Sequence, residues 1–433
     1  MSAICLRLGV CALSLGLAGF GAPAAAVTQI PQPLTLRAAL EWAAEYNPTL
    51  RSAQVRVERL TGEAIHADVA VPSNPRVEVE AGQRSTAAGD GTDLGIRLSQ
   101  EVWIAGQGGL RESAANSELA AARQQYRYLL SAVAARVRAA YLSVLVADKA
   151  VASGRRVVDA NQKLDDYAQR RLAAGAGTQL EVNAAKLGLS RSNALLAKAK
   201  NRLTRSRLRL DDLLGIDPSR RLKLAGALDI APITLPDRDA LLTRAVRQRS
   251  DLVAAARQVA AARSRLSLAD RQIIPNLTVF GFYRQENNGD GHGPGGGGAT
   301  IAGGGLSFEL PILHRYEGER KSARAKLNRA QLDQDNLERN VRLQVLRALS
   351  DYRSARTQVA ALDSAVVDAA RQTVDLTRRA FQAGEVGAPA ITTAQNNLIA
   401  VRHEYLSALD ALIGAASDLE RATGGLIAID AGR

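Results

Sequence analysis

The residues that could carry chemistry in this sequence are few, and none is spaced for it. Gly291, Gly293 and Gly296 match the glycine spacing of a dinucleotide-binding turn. That turn works only where it follows a strand and opens a helix whose first amides hold a pyrophosphate. Here the segment runs into Gly297-Gly298 and a further strand-like stretch, with no Lys-Ser/Thr pair. An external loop is expected instead. His403-Glu404 begins like a zinc-protease helix, but Ser407 stands where the second histidine is needed. His66, His292, His314 and His403 show no ligand spacing. Cys5 and Cys11 are the only thiols, and Met1 is the only methionine. No nucleophile–base pair or carboxylate pair emerges, so neither an enzyme, a cofactor nor a metal site is expected.

The composition points the same way. A hydrophobic content of 46% is ample for a core, while 4% aromatic is low for a sculpted pocket. The formal net charge of +13 suits an anionic partner such as lipid headgroups or lipopolysaccharide. Nucleic acid is disfavoured, because the basic residues are scattered along helical stretches with few aromatics among them.

Residues 1–26 read as a secretory leader. One early positive charge at Arg7 precedes an apolar stretch, and Ala24-Ala25-Ala26 offers a cleavage site. Cys11 sits too early in the apolar stretch, behind Val10, for lipidation to be expected. No later segment has 18 consecutive apolar residues, so no membrane-spanning helix is expected. Any membrane insertion would have to use β-strands.

Proline placement marks the helices. None occurs between Pro75 and Pro218 or between Pro311 and Pro389, and proline breaks helix interiors. Within the first span Val133, Val137, Ala140, Val144, Ala147 and Val151 recur at steps of three and four. In the second, Tyr352, Ala355, Val359, Leu362, Val366, Ala369, Thr373, Leu376 and Ala380 do the same. That is a coiled-coil stripe. As one helix, residues 110–172 would be about 95 Å long. Turns are expected near Gly175 and Gly384.

Two segments change to period two. Val77, Val79 and Ala81 alternate with charged or small residues, as do Leu94, Ile96 and Leu98. A second hairpin is expected from residues 276–285 and 302–310. The face carrying Phe280 and Phe282 is ambiguous, because it lies opposite Val279. Each hairpin has the height of a tilted membrane-spanning strand pair.

The whole plan occurs twice. Residues 27–216 form a first repeat, with a strand hairpin at about 76–103 and a helical hairpin at about 106–214. A connector spans 217–236. Residues 237–424 form a second repeat, with hairpins at about 276–310 and 312–424, and 425–433 form a tail. Ser99-Gln100-Glu101 aligns with Ser307-Phe308-Glu309, and Leu213-Leu214-Gly215 with Ala422-Thr423-Gly424. By length, residues 178–214 are expected to stack end to end on 237–271, and 36–70 on 388–423. The expected fold is mainly α with a membrane β-barrel portion: long coiled-coil hairpins plus four strands per chain, internally duplicated.

With this plan the chain resembles the TolC-type outer-membrane factors of tripartite efflux systems. Leu36-Arg37-Ala38-Ala39-Leu40 with Asn47-Pro48 is similar to the family's entry helix. Pro72-Ser73-Asn74-Pro75 and the strand containing Ser99-Gln100 resemble the heavy-metal, CzcC-like branch. The resemblance implies a homotrimer in the outer membrane, with a long periplasmic part, a twelve-stranded barrel and a helical tunnel. It also implies a passive duct for substrate, of the heavy-metal cation type in this branch, with an inner-membrane pump and a periplasmic adaptor as partners. Arg171, Leu172, Gly175, Thr178, Phe381, Gly384 and Gly387 are then the tip residues expected to meet the adaptor. Some family members close the tunnel with acids after the second tip; here Ala390 and Thr393 stand there, and Glu181 is the candidate constriction. A drug-efflux or type I secretion duct of the same family is the nearest alternative. A soluble periplasmic coiled-coil scaffold is another, but it has no need of two matched spanning hairpins.

Overall fold

The computed structural model describes residues 30–86, 89–220, 222–226, 228, 235–288, 299–362 and 364–425. The expected leader and the Gly291–Gly296 loop lie outside these residues. The elements, in order, are helix α1 (Leu36–Tyr46), α2 (Pro48–Ala67), strands β1 (Arg76–Thr86) and β2 (Gly89–Val102), α3 (Gln107–Ala173) and α4 (Gln179–Leu214). The order then recurs with α5 (Arg238–Gln248), α6 (Ser250–Arg271), β3 (Leu277–Asn288), β4 (Ala299–Phe308), α7 (Glu317–Ala361), α8 (Ser364–Gln382) and α9 (Ala388–Ala422). The four strands form one antiparallel sheet in sequence order. Below it α2, α3, α6 and α7 lie side by side in the same order.

α3 has 67 residues and no proline, which makes it about 100 Å long. Its stripe from Val133 to Val151 is buried throughout. This stripe packs on Ala39, Ala43, Leu50, Leu203, Leu210 and Leu214 of the first repeat's other helices. The second repeat builds a matching core from Leu241, Ala245, Val341, Val345, Tyr352 and Leu419. Each buried Leu or Val contributes about 1.5–3 kcal/mol. By length and the mean hydropathy of one 18-residue window alone α3 could cross a membrane, although it holds no run of 18 consecutive apolar residues. Half of that window is buried inside the bundle, and Arg136 and Arg138 interrupt its apolar run.

The second stripe is corrected past Leu362. α7 ends there, and the register of burial moves by one residue. Val374 and Phe381 are the buried residues of α8, whereas Leu376 is exposed. The break uncouples the phase of α8 from that of α7.

The end-to-end stacking is also corrected. α4 abuts the α1–α2 break, not α5 or α6. Asn47 Nδ2 donates to the Leu213 carbonyl at 2.7 Å, and Trp42 Nε1 donates to the Leu214 carbonyl at 3.1 Å. α9 abuts the α5–α6 break, where Arg249 donates to the Ala422 carbonyl at 2.8 Å. Leu213 and Ala422 are the aligned positions of the two repeats, so one bond is made twice by different side chains. Gly215 and Gly424 both follow these helices with positive φ, at 65° and 73°. A Cβ on Gly215 would lie 2.8 Å from the Tyr46 carbonyl oxygen, and one on Gly424 2.8 Å from Arg249 Cγ. Similar lengths misled the sequence reading; the glycine stops decide which helices meet.

Arg249 is fully buried, yet satisfied. It pairs with Asp251 through Nε and a terminal nitrogen at 3.0 and 2.6 Å, reaches Gln344 at 3.1 Å, and lies over the Tyr128 ring. The N-terminal segment is fixed nearby. Leu34 pairs in parallel with Leu224, and Tyr141 donates its hydroxyl to the Leu34 carbonyl at 2.8 Å. The two repeats are joined by Arg138 of α3, whose terminal nitrogen meets Glu420 of α9 at 2.6 Å, and by Ser417 donating to the Ala135 carbonyl.

Arg249→Ala strands the buried Asp251 and is expected to cost about 3–5 kcal/mol. Asn47→Ala, which removes a neutral cap and one bond, is expected to cost about 1–2 kcal/mol. Thermal dissociation of the detergent-extracted protein measures both, and equal losses would contradict the difference. Burial pushes the Glu420 carboxyl up, opposed by Arg138. A carboxyl whose folded-state value is raised contributes stability below its ordinary value and loses that contribution as pH rises through the raised value. Arg138→Met removes the partner, so the variant's loss of stability is expected to be larger at about pH 8 than at about pH 5. A pH-independent loss would contradict it.

Candidate functional site

The sheet is inside out for a soluble protein. Register places Val77, Val79, Ala81, Leu94, Ile96 and Leu98 on one face, joined by Val279, Tyr283, Leu306 and Phe308. All but Ala81 of these are large apolar side chains, and they are among the most exposed in the chain, Val79 at 74% and Leu306 at 64%. The other face carries Arg76, Glu78, Glu80, Arg84, Asp93, Arg97, Arg284 and Glu286. Ion pairs cross the strands there: Arg84 with Asp93 at 3.5 Å and with Glu286 at 3.6 Å, and Arg284 with Glu80 at 3.4 Å. Along β2 the apolar residues are exposed and the alternate charged ones are half-buried. Exposed apolar and sheltered charged residues alternating with period two are the pattern of a transmembrane barrel wall, apolar to lipid and polar to water.

Parity also resolves Phe280 and Phe282. They lie on the charged face side by side, their rings within 29° of parallel and their centroids 6.5 Å apart. The signal was in the sequence, since Thr278, Arg284 and Glu286 share their parity; the aromatic type drew attention away from it. Strands β3 and β4 extend further toward their loop than expected, and β4 stops at Phe308, short of Leu310.

α2, α3, α6 and α7 together enclose a concavity of about 1000 Å³. Its walls carry both signs of charge, among them Arg56, Glu63, Glu118, Arg265, Lys326 and Asp333. No cluster able to hold a metal ion occurs among the described residues.

At the far end the two helical hairpins turn in the same way. The Ala176 amide bonds the Arg171 carbonyl and the Gly175 amide that of Leu172; the Glu385 amide bonds the Ala380 carbonyl and the Gly384 amide that of Phe381. These are Schellman closures, with Gly175 and Gly384 at φ 72° and 77°. Thr178 starts α4 with a capping box: its Oγ1 accepts from the Glu181 amide at 3.3 Å, and the Glu181 carboxylate accepts from the Thr178 amide at 3.4 Å. Gly387 starts α9 without a side-chain cap.

The structure brings the tip candidates together, but not all at the surface. Gly175, Thr178, Gly384 and Gly387 are exposed; Arg171 and Leu172 are half-buried. Phe381 is a correction. It is 5% exposed and packs with Leu164, Ala168, Val182 and Ile391. Tyr167 meets its ring edge-on and Arg171 lies over it at 5.6 Å. It therefore ties the two tips to each other and presents no side chain to a partner. Tyr167 was missed because its role appears only when the hairpins meet; Leu180, exposed at the tip, was missed because it follows the glycines.

Such a chain defines a class: an outer-membrane channel subunit with a strand sheet in the membrane and a long helical body in the periplasm. The family described as outer membrane efflux protein matches residues 39–216 and 241–425, and the chain belongs to that family. Protein CyaE of Bordetella pertussis is 28% identical, covering 90% of this chain and 85% of its own length. Cobalt-zinc-cadmium resistance protein CzcC of Cupriavidus metallidurans is 26% identical over 90% of each. Among solved structures, the Campylobacter jejuni CmeC outer membrane channel superposes with a TM-score of 0.77 at 16% identity, covering 92% of this chain and 87% of that one. The Neisseria gonorrhoeae MtrE outer membrane channel gives 0.74 at 18%, covering 90% and 89%. The protein is an efflux channel component, not an enzyme.

A charge on the apolar face is expected to cost about 2–4 kcal/mol near mid-membrane. Ile96→Arg should therefore reduce the folded outer-membrane protein, while Ser99→Arg on the charged face should leave it near wild type. Heat-modifiable gel mobility of outer-membrane fractions reads both. Equal losses would contradict the face assignment.

Proposed function

We propose that three copies of this chain close into one twelve-stranded barrel and one helical tunnel, a passive duct for heavy-metal cations working with a periplasmic adaptor and an inner-membrane pump. The observation that carries this reading is the inverted sheet. An exposed apolar face needs lipid, and the outer edges of β1 and β4 need partners, because unpaired backbone groups are costly in a bilayer. A closed symmetric ring of copies supplies those partners. Walls bearing both signs of charge, with no metal-holding cluster among the described residues, suit a conduit that must release what it carries. The similarity to CzcC supports the cation reading. A drug-efflux or type I secretion duct is the second reading, favoured by the comparable similarity to CyaE, whose name carries no metal.

The adaptor would meet the exposed tip: Arg171, Leu172, Gly175, Thr178, Gly384 and Gly387, with Leu180 added and Phe381 acting from beneath. For Glu181 a capping role is favoured over a constriction, because its carboxylate is turned back to the Thr178 amide.

Cysteines at the exposed Ala176 and Glu385 are expected to cross-link in cells to a periplasmic adaptor co-expressed with its pump, whereas one at Glu317, far up the helical body, is not. Uniform cross-linking, or none from a folded trimer, would contradict the tip assignment. Cells lacking the protein are expected to accumulate cobalt, zinc or cadmium and to recover on its return. Accumulation of organic drugs alone, or loss of polypeptide secretion alone, would favour the second reading.

A further inference from the structure

The charged face of the sheet holds one feature that the duct does not require. Phe280 lies directly opposite Gly305, and Phe282 opposite Gly303. A Cβ on Gly303 would stand 2.9 Å from Phe282 Cζ and 3.0 Å from its Cε1. One on Gly305 would stand 2.8 Å from Phe280 Cζ and 3.2 Å from its Cε1. Both rings therefore lie flat across bare glycine backbone on β4. On the other side the Arg97 guanidinium lies over the Phe280 ring, 5.0 Å from its centroid, and Arg97 is also near Glu78 at 3.9 Å. A Cβ on either glycine would stand under 3.0 Å from its ring, so the ring has to leave its place on the wall.

We infer that Gly303 and Gly305 set the aperture of the barrel by giving Phe282 and Phe280 a place to lie flat, so that this chain's pore width is a property of its Phe–Gly pairs. The inference rests on the reading of the charged face as the lumen of a trimer. In that assembly six rings line two successive levels, three at each. A twelve-stranded barrel lies between the eight-stranded kind filled by its own side chains and the sixteen-stranded kind with an open channel. At that size, rings flat against the wall leave a passage, and rings turned inward close it. An aromatic covering a strand glycine also stabilises the sheet, but stability alone predicts no change in aperture.

The test uses intact cells and membrane-impermeant maleimides of graded size, in a Cys5→Ser, Cys11→Ser background. Thr278→Cys lies on the charged face beyond the rings as seen from the loops, and Glu286→Cys lies before them. With native glycines, both are expected to label with small and medium reagents. With Gly303→Val and Gly305→Val, labelling at position 278 by the medium reagent is expected to fall at least tenfold relative to 286. Adding Phe280→Ala and Phe282→Ala is expected to restore it. An equal fall with and without the phenylalanines, or no fall in a heat-modifiable trimer, would overturn the inference. If the valine pair fails to assemble, the alanine pair carries the same expectation with a smaller fall. Phe280→Ala with Phe282→Ala alone decides independently: little change at 278 is expected of flat rings, and a tenfold rise overturns the inference. Failure of the underlying reading looks different, since neither cysteine would then label from outside at all.

Discussion

The long helical body depends on how helix ends are satisfied at its waist. A helix leaves its last carbonyls without intrahelical donors. Where α4 and α9 stop against the breaks before α2 and α6, those carbonyls would be buried and orphaned. Asn47 and Trp42 supply the donors in one repeat and Arg249 in the other. The consequence is geometric. Two short helices and their partners act as continuous rods beside α3 and α7, so the sheet at one end and the tips at the other are held at a fixed separation. The two halves reach this with unlike chemistry. The neutral amide of Asn47 needs nothing further, whereas Arg249 brings a charge that must be neutralised by Asp251 and shared with Gln344.

The sheet obeys the opposite solvent logic from the helices. In the bundle, apolar stripes turn inward and charges outward. In the sheet, apolar residues are exposed on one face and the charges of the other face are sheltered. The chain changes logic within a few residues at the strand–helix junctions. Gly106 and Tyr316, both left-handed, make the entries to α3 and α7. The same conformation is reached once by a glycine and once by a tyrosine braced against His314.

Much of this was legible in the sequence, and the failures have physical causes. Strand alternation, the α3 stripe and the glycine turns are local signals, set by period and backbone conformation. They gave the elements, the strand pairs and the tip positions. The partner of each stacked helix was not local; length suggested one pairing, while the contact of Gly215 with Tyr46 and of Gly424 with Arg249 imposed another. The shift of burial in α8 depends on the break after Leu362, which no proline or glycine marks. At the tip, residue types named Phe381 as a contact. Only the meeting of two hairpins shows it covered by Tyr167 and Arg171.

The apolar core stretch of α3 has a consequence before the protein is ever folded. A chain entering the periplasm as an extended thread presents this stretch to the lipid it passes, and a stretch able to cross a bilayer is able to lodge there. Arg136 and Arg138 interrupt it, and an arginine at the centre of a spanning helix costs about 2.5–3.5 kcal/mol on insertion scales. Arg138 is the residue that later meets Glu420. In the unfolded chain that bare charge disfavours insertion of the stretch into lipid; in the folded chain the same side chain, matched by Glu420, fastens the two repeats.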